Sequence, residues 1–322
     1  MPQHVAVVIP YYQRTRGLLS RSLRGVFEQQ DAPPTCVIIV DDDSPLSADE
    51  ELSDIDAKFR ESISVIRQAN QGCAAARNTG LAAVLADAGW IALLDSDDLW
   101  TADHLRRAAT ALEKQGAFYF ADGGSEGSET TQYRQTGFVA GAHRSIHEYD
   151  DLFVFVGDFL SLLIDRTPLV SSSVVYRRDA FGDLRFEPHC GLCEDLAFWT
   201  SVASRSPAVV FSSRTEVIGS REGEHISHIN DWKSNRSLRL TRDFLRCYNF
   251  ILGTVPLSAS QRARIEQKAV DRRISAIITA LAMIKGRISV DRGLMLDVLR
   301  ESPAPVADFF RAAARLIKLR RA

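Results

Sequence analysis

Short apolar runs, each followed by polar or acidic residues, organise the first hundred positions of the chain. In chain order these runs are residues 5–9 (VAVVI), 36–40 (CVIIV), 64–66 (SVI, the weakest) and 90–94 (WIALL). Continuous β-branched runs of this length are typical of strands buried on both faces of a parallel sheet. Helical patterns separate them, one ending at about Gln30 and one over residues 74–88. The alternation predicts an α/β fold with a Rossmann-like, mostly parallel sheet flanked by helices.

Beyond residue 115 the pattern is weaker. Residues 116–141 are polar and rich in glycine, which favours a loop or a connection between strands. Apolar residues recur near a 3.6-residue period over 150–164 and predict a helix there. Residues 171–176 and 208–211 are expected to be strands.

From about Trp232 the pattern is helical. Two apolar faces are predicted, one formed around Ile274, Ile277 and Ile284, and one in the last helix around Val306 and Phe309. This region forms the predicted C-terminal helical extension.

The strand at 90–94 runs directly into Asp95, Asp97 and Asp98. Carboxylates this close repel one another, and a divalent cation removes that penalty. Mg²⁺ and Mn²⁺ favour one or two carboxylates together with phosphate oxygens of a substrate. A metal and diphosphate site is therefore one interpretation. A solvated turn or a helix N-terminus is the other, because Ser and Asp also suit a helix start.

Composition and charge distinguish two parts of the chain. The 322 residues are 45% hydrophobic and 25% charged, as in an ordinary globular protein, and the formal net charge is −2. Residues 231–322 contain 19 Lys and Arg against 8 Asp and Glu, so they carry +11, which leaves −13 for residues 1–230. We therefore expect a catalytic domain over 1–230 and a basic helical region over 231–322.

Several classes of protein are disfavoured. The five scattered cysteines favour reduced thiols in a cytoplasm, and the N-terminus shows no targeting pattern. No apolar run reaches the ~18 residues needed to cross a bilayer. Neither G-x-G-x-x-G after the first strand nor a Walker-type loop occurs, so phosphate binding must rely on metal and side chains. We expect a cytoplasmic protein without a nucleic-acid partner, and the pattern allows an oligomer.

Four segments, in this order and at this spacing, resemble glycosyltransferase family 2, whose members have the GT-A fold. They are residues 7–12 (VVIPYY), 39–44 (IVDDDS), 70–81 (NQGCAAARNTGL) and 94–100 (LDSDDLW). Each segment is weak alone, but together they form a specific pattern. The resemblance covers residues 4 to about 105 firmly and 170–200 less closely.

The resemblance implies an inverting transfer of a sugar from a nucleotide diphosphate donor, with a UDP-sugar favoured, to an acceptor hydroxyl. It also implies Mn²⁺ or Mg²⁺ and a glycan, lipid-linked or protein acceptor. The nucleotide would be bound by the residues matching the family's motifs: Pro10, Tyr11, Asp41, Asp42, Arg77, Asn78, Asp95 and Asp97. The resemblance further implies a role in surface polysaccharide, glycolipid or glycoprotein synthesis.

The resemblance also implies roles for three acidic positions and one histidine. Asp97 of the DXD motif would bind the metal, Asp98 extends the cluster, and His225 is a further candidate ligand. Asp195, preceded by Glu194, matches the family's ED motif and would be the catalytic base. The alternative for this pair is a helix N-terminus, where acidic residues are favourable.

Two positions depart from the family pattern. The family usually has glycine where this chain has Asp43, and glycine or another small residue where Cys193 precedes the acidic pair. The first departure affects the turn beside the nucleotide base, and the second affects the placement of the catalytic carboxylate.

Other hypotheses remain beside the transferase. A nucleotide-binding GT-A protein without turnover would keep the same motifs, and a sugar nucleotidyltransferase would share the architecture but needs a basic, glycine-rich loop after the first strand. A calcium loop starting at Asp95 lacks the expected Gly and Glu at Trp100 and Arg106. The basic tail suggests contact with an anionic membrane at its inner face or with a lipid-diphosphate acceptor, and helix packing or oligomerisation is equally open.

Overall fold

The computed structural model describes residues 4–53, 55–147, 149–205, 208–220, 233–302 and 304–319. Within these ranges the strands are β1 (His4–Tyr11), β2 (Thr35–Asp41), β3 (Ile63–Arg67), β4 (Ala88–Leu93), β5 (Asp98–Trp100), β6 (Phe118–Ser125), β7 (Arg144–Ser145), β8 (Leu152–Val154), β9 (Val175–Arg177) and β10 (Val209–Gly219). The helices are α1 (Leu18–Phe27), α2 (Ala48–Leu52), α3 (Ala57–Arg60), α4 (Cys73–Ala83), α5 (His104–Gln115), α6 (Gln132–Thr136), α7 (Phe159–Asp165), α8 (Arg178–Phe181), α9 (Glu194–Ser204), α10 (Asn235–Thr254), α11 (Ala259–Lys285), α12 (Arg292–Arg300) and α13 (Pro305–Leu319).

One sheet contains all of these strands, in the order β3-β2-β1-β4-β9-β6-β10-β8-β7, with β5 paired to β10. The pairs β3–β2, β2–β1, β1–β4 and β6–β10 are parallel, whereas β9 lies antiparallel between β4 and β6. Six neighbouring strands therefore run in one direction, apart from the inserted β9. The mostly parallel α/β sheet expected from the sequence is confirmed.

The predicted apolar runs form the centre of this sheet. Residues 5–9 in β1 are at most 1% exposed, and β2 and β4 are similarly buried. Helix α4 packs closely on β1 and β2 at Gly80, where an added Cβ would lie 2.4 Å from Cγ1 of Val8. Glycine is therefore required at this position to bring the helix against the sheet.

Two predictions for the middle of the chain are wrong in detail. Residues 116–141 contain the long strand β6 as well as α6, and Gly123 lies within β6, where an added Cβ would meet Val170 at 2.7 Å. Its glycines thus serve close packing as well as turns. Residues 150–164 begin as strand β8, paired with β10, and become helical only at α7. Gly157, at φ 127°, separates the two elements, and a 3.6-residue period cannot reveal such a break.

The described chain divides into two compact units. The first, the sheet unit, contains Met1–Pro188 and Arg205–Gly223, and the second, the helical unit, contains His189–Ser204 and Glu224–Ala322. Helix α9 therefore groups with the C-terminal helices. A catalytic domain ending at residue 230 stays a prediction.

The helical unit is built from α9 to α13, and its packing differs from the predicted faces. Ile274, Ile277 and Ala312 form a buried cluster, and Ile265 and Met283 are also buried. Three apolar side chains of α13, those of Val306, Phe309 and Phe310, are 70%, 53% and 70% exposed, and Ile284 in α11 is 64% exposed. These residues of the predicted apolar faces are therefore exposed, and on α13 the small Ala312 makes the contact with the buried cluster instead. Among the described helices, none combines the length and apolar character needed to span a membrane.

Candidate active site

The carboxyl ends of β1, β2, β3 and β4 meet at one edge of the sheet, because the four strands are parallel neighbours. The segments that follow them contain most of the residues singled out in the sequence. Ligands of open α/β sheets bind at this edge. The local geometry of each segment shows which side chains are held there and how.

The acidic segment after β4 is fixed by Ser172. The Ser172 hydroxyl accepts a hydrogen bond from the Asp95 amide at 3.0 Å and donates one to the Asp98 carboxylate, and its carbonyl accepts one from the Trp100 indole at 2.6 Å. Ser172 itself is 1% exposed. One buried serine therefore joins the beginning and the end of residues 95–98, which we call the acidic turn.

Strand β10 holds the same segment from its other side. Asp98, Leu99 and Trp100 pair antiparallel with Gly219, Ile218 and Val217, and the Ser220 amide donates to the Asp97 carbonyl at 3.3 Å. The acidic turn is thus held in place by backbone hydrogen bonds to the sheet. The interpretation of this stretch as a freely solvated turn does not describe it, and no helix begins there.

Arg77 and Asn78, which match one motif of the sequence, have different surroundings. The Arg77 guanidinium donates to Asp95 Oδ1 at 2.7 Å, although Arg77 is only 4% exposed. The Asn78 side chain instead exchanges two hydrogen bonds with the backbone of Phe186, at 2.8 and 2.7 Å. Arg77 therefore belongs to the acidic site, whereas Asn78 fixes the chain before α9.

Asp41 and Asp42 shape the loops after β2 and β3. Asp41 accepts hydrogen bonds from the amides of Ser44 and Ala48, at 2.8 and 2.9 Å. Asp42 accepts three: from Gln68 Nε2 at 2.7 Å and from the amides of Gln71 and Gly72, at 2.9 and 2.7 Å. Both carboxylates are 3% exposed, so each organises a loop at the sheet edge.

Asp43 explains the first departure from the family pattern. Its backbone lies in the left-handed region, at φ 58°. Glycine adopts this conformation without steric cost, and Asp and Asn tolerate it better than most residues do. The turn beside Asp42 is therefore kept without glycine.

The end of β1 differs from the expectation for Tyr11. Pro10 and Tyr11 are both buried, Tyr11 within the main hydrophobic cluster, and burial raises the pKa of the Tyr11 phenol above its usual value. Tyr12 is 40% exposed, and the Arg14 guanidinium lies 5.3 Å from the centre of its ring. Tyr12 is thus the aromatic side chain that this segment offers to a ligand.

Gln13, which sequence reasoning missed, connects three segments of the sheet edge. Its backbone amide donates a hydrogen bond to the Ser44 hydroxyl at 2.8 Å, and its side-chain Nε2 donates to Ser96 Oγ at 2.9 Å. Its place directly after a strand was the available signal. Ser172 gave no comparable signal, because nothing local links it to residues 95–100.

The metal ligands proposed from the sequence divide into two groups. Asp97 and Asp98 lie half-buried in the acidic turn, and His225 lies outside the described residues. In the part of the chain that the structure describes, no three His, Cys, Asp or Glu side chains are arranged to hold a metal ion. Two carboxylates still fit Mg²⁺ or Mn²⁺ when substrate phosphates complete the coordination.

A buried charge network supports the start of α5, directly after β5. Glu216, 1% exposed, accepts from the Tyr119 hydroxyl at 2.7 Å and lies 2.8 Å from His104 Nδ1. Arg107 pairs with Asp103 and Asp151 at 2.6 and 2.8 Å. Burial opposes the charge of Arg107, but these two hydrogen-bonded carboxylates raise its pKa, and Arg107 in turn lowers the pKa of Asp151.

The second acidic pair lies in the helical unit. Glu194 and Asp195 occupy the first turn of α9, Glu194 being 7% exposed and Asp195 partly exposed. The pair therefore does lie at a helix start, as one of the two interpretations predicted, and this position is compatible with a catalytic role. Cys193 before it is 3% exposed, and burial raises the pKa of its thiol. The cysteine thus serves as a small buried side chain at this position.

The comparisons with known proteins agree with this arrangement. The model of glycosyl transferase family 2 matches residues 6–185. The succinoglycan biosynthesis protein ExoW of Rhizobium meliloti (strain 1021) is 34% identical over 251 residues, which are 73% of this chain and 74% of ExoW.

Solved structures share the fold at low sequence identity. The structure of S. aureus TarS 1–349 in complex with UDP-GlcNAc has a TM-score of 0.62 at 16% identity, covering 96% of this chain and 81% of that one. The mannosyltransferase PcManGT from Pyrobaculum calidifontis, in complex with GDP-Man and Mn²⁺, has a TM-score of 0.55 at 14% identity, covering 98% and 86%. Together with the strand-end site, the family match and the likeness to ExoW establish that the chain belongs to glycosyl transferase family 2 and is a glycosyltransferase.

Proposed function

We propose that the chain transfers a sugar, with inversion, from a nucleotide diphosphate donor to an acceptor hydroxyl during the synthesis of a surface polysaccharide. The observation that carries this proposal is the acidic turn joined to Arg77 at the edge where the parallel strands end. A UDP-sugar is the favoured donor, since the family resemblance and the UDP-GlcNAc complex of TarS both point to it. The likeness to ExoW, a succinoglycan biosynthesis protein, supports the polysaccharide acceptor.

The residues of the acidic turn fit one half of this reaction. Asp97, with Asp98, would hold Mn²⁺ or Mg²⁺ together with the diphosphate, and the metal would offset the negative charge that develops on the leaving group. Arg77 keeps the Asp95 carboxylate in place, and Tyr12 supplies an exposed aromatic surface for the nucleoside. Asp42 and Asp41 act by shaping the loops around it.

Asp195 is proposed for the other half. It would accept the proton of the acceptor hydroxyl as that oxygen forms a bond to the anomeric carbon and the bond from this carbon to the diphosphate breaks. A positioned base of this kind contributes ~10² to 10⁴-fold in rate. Glu194, at 7% exposed, is proposed to support Asp195 from the same helical turn.

A transfer assay tests the proposal. The purified chain is incubated with UDP- and GDP-sugars, with and without Mn²⁺, and with oligosaccharide acceptors, and the release of nucleotide and the anomeric configuration of the product are measured. The proposal expects metal-dependent release of one nucleotide and an inverted linkage. Tight nucleotide binding without turnover would favour a non-catalytic GT-A protein, and pyrophosphate release from a nucleoside triphosphate and a sugar phosphate would favour a nucleotidyltransferase.

A second candidate function concerns the C-terminal helix. Val306, Phe309 and Phe310 are exposed on α13, and residues 311–321 contain five Lys and Arg and no Asp or Glu. Exposed aromatic residues beside basic ones are typical of helices that lie in the interface of an anionic membrane. We propose that α13 binds such a surface.

Vesicle co-sedimentation tests this second function. Phosphatidylcholine vesicles with and without phosphatidylglycerol are compared for the full chain, for the double variant Phe309→Ser and Phe310→Ser, and for Leu85→Ser as a control. Leu85 is equally apolar and 65% exposed, but it lies in the sheet unit. Binding to anionic vesicles that only the double variant loses is expected; equal binding of all three proteins would contradict the proposal.

A further inference from the structure

The turn that precedes Glu194 and Asp195 is shaped by a carboxylate from a helix 50 residues further along the chain. Asp243 of α10 is 1% exposed, and its Oδ2 accepts a hydrogen bond from the Leu192 amide at 3.2 Å. Its Oδ1 accepts two from the Arg242 guanidinium, at 2.9 and 2.7 Å. All of these residues belong to the helical unit.

Gly191 shows how closely the turn follows this carboxylate. Its backbone angles are φ 57° and ψ −123°, a combination that side chains disfavour. A Cβ added there would lie 2.6 Å from both Cγ and Oδ2 of Asp243. Backbone conformation and close approach thus both require glycine, so the turn and the carboxylate are built around one another.

The buried position of Asp243 needs a reason beyond folding. An ionised carboxylate taken out of water is costly unless it is paired and hydrogen-bonded, and apolar replacements of such pairs are often neutral for stability. Here one carboxylate oxygen of Asp243 accepts from Arg242, and the other accepts from the backbone of the turn. The charge therefore orients the Leu192 amide, two residues before Glu194.

We propose that Asp243 is a positioning residue for the catalytic turn, and that α10 is thereby part of the machinery of transfer. This rests on the proposed function, in which Asp195 is the base. A base must meet the acceptor hydroxyl within hydrogen-bonding distance, and a displacement of ~1 Å can cost ~10²-fold in rate. Without the Asp243 carboxylate the turn loses the contact that sets the start of α9.

The test compares two identical substitutions in one unit. Asp243→Asn keeps the size of the side chain, but only one of its two terminal atoms accepts, so it loses the bond to Arg242 or the bond to Leu192. Asp308→Asn is the control. Asp308 is likewise 1% exposed and pairs with an arginine, Arg273, at 2.5 Å, and its partners lie on α11 and in residues 302–311. Asp195→Asn is measured beside them.

Each variant is assayed for kcat, for the KM of the sugar donor, for thermal unfolding and for amide exchange of peptides covering 189–196. Asp243→Asn is expected to lower kcat about 10- to 100-fold, with the donor KM within twofold and faster exchange in 189–196. Asp308→Asn is expected to keep kcat within twofold even where it lowers the melting temperature.

Two outcomes are separable. If Asp195→Asn is inactive but Asp243→Asn keeps the kcat of Asp308→Asn, the positioning role is wrong and the proposed base stands. If Asp195→Asn keeps its turnover, the proposed base is wrong, and the role of Asp243 through that base is wrong with it.

Discussion

The two acidic sites of this chain are built in opposite ways. In the sheet unit, Asp95, Asp97 and Asp98 follow directly on a buried strand, and Arg77, Ser172 and β10 fix them from several sides. In the helical unit, Glu194 and Asp195 start a helix whose preceding turn is held by a carboxylate of α10. At a strand end, the sheet itself holds the functional side chains in place. The position of a helix start depends instead on the elements that pack beside it.

The two sites should therefore fail differently when they are changed. Damage to the strand-end site should appear in nucleotide binding. Damage to the helix-start site should appear in turnover, with binding preserved.

The largest effect is expected for the helix-start site. Asp195→Asn should lower kcat ~10² to 10⁴-fold, because an amide cannot accept the proton of the acceptor hydroxyl. Nucleotide affinity, measured by calorimetry, should stay within twofold. Glu187→Gln serves as a control, since this acidic residue lies before the turn in the sheet unit. Near-normal turnover of Asp195→Asn would place the base elsewhere.

The charge network beneath the acidic turn should matter next. Arg107→Met removes the guanidinium shared by Asp103 and Asp151 and close to the buried Glu216, at 3.7 Å. Asp103 and Asp151 are 25% and 20% exposed, so the loss should be smaller than for a fully buried ion pair, at ~1.5 to 3 kcal/mol of unfolding free energy, which urea denaturation would measure. Arg205→Met breaks the exposed pair with Asp183 and should cost below ~1 kcal/mol. Equal losses for both variants would refute the structural role of the network.

Ser172 should have a smaller effect that is confined to binding. Ser172→Ala removes the hydroxyl that links the Asp95 amide to Asp98, and an unsatisfied buried group costs ~1 to 3 kcal/mol. Nucleotide affinity in the presence of Mn²⁺ should fall correspondingly, about 5- to 150-fold. Ser173→Ala is the matched control, since its buried hydroxyl donates to the Val170 carbonyl instead. Parallel losses in both variants would show a general effect of the turn.

The smallest expected effect is a pH dependence of stability that arises in the sheet unit, at His143. Burial lowers the pKa of His143 below 6.5, so the unfolded chain takes up a proton at a pH where the folded chain does not. Stability is therefore complete above about pH 6.5 and declines as the pH falls through the folded pKa. His143→Gln should flatten the change in melting temperature between pH 7 and pH 5, and exposed His147→Gln should not. An unchanged slope in His143→Gln would contradict the assignment.

The sequence predicted the strand-end site better than the rest, for a physical reason. Buried parallel strands need continuous apolar runs, and the residues after them meet at one edge, so β1, β2 and β4, and the acidic residues at the ends of β2 and β4, were predictable from local pattern. Ser172 and Asp243 were not predictable. Each acts on a segment more than 50 residues away, and a single serine or aspartate has no local pattern that marks such a contact.

Periodicity also failed where one segment holds two elements. Residues 150–164 carry a helical period, yet β8 lies within them at Leu152–Val154, where it pairs with β10. Tyr11 and Tyr12 show the limit at the level of one residue. Both follow an apolar run, and only the three-dimensional fold shows that the first is buried and the second exposed.

Isothermal titration calorimetry of nucleotide binding tests the proposed role of the acidic turn most directly. UDP and GDP are titrated, with and without Mn²⁺, into the wild-type chain, Asp97→Asn and Asp87→Asn, the last being an exposed carboxylate just before β4. We expect one nucleotide to bind in a metal-dependent manner, and Asp97→Asn, but not Asp87→Asn, to weaken this binding at least about tenfold, which is ~1.4 kcal/mol. Nucleotide binding that is independent of Mn²⁺, or that is unchanged in Asp97→Asn, would contradict the proposed role of the acidic turn.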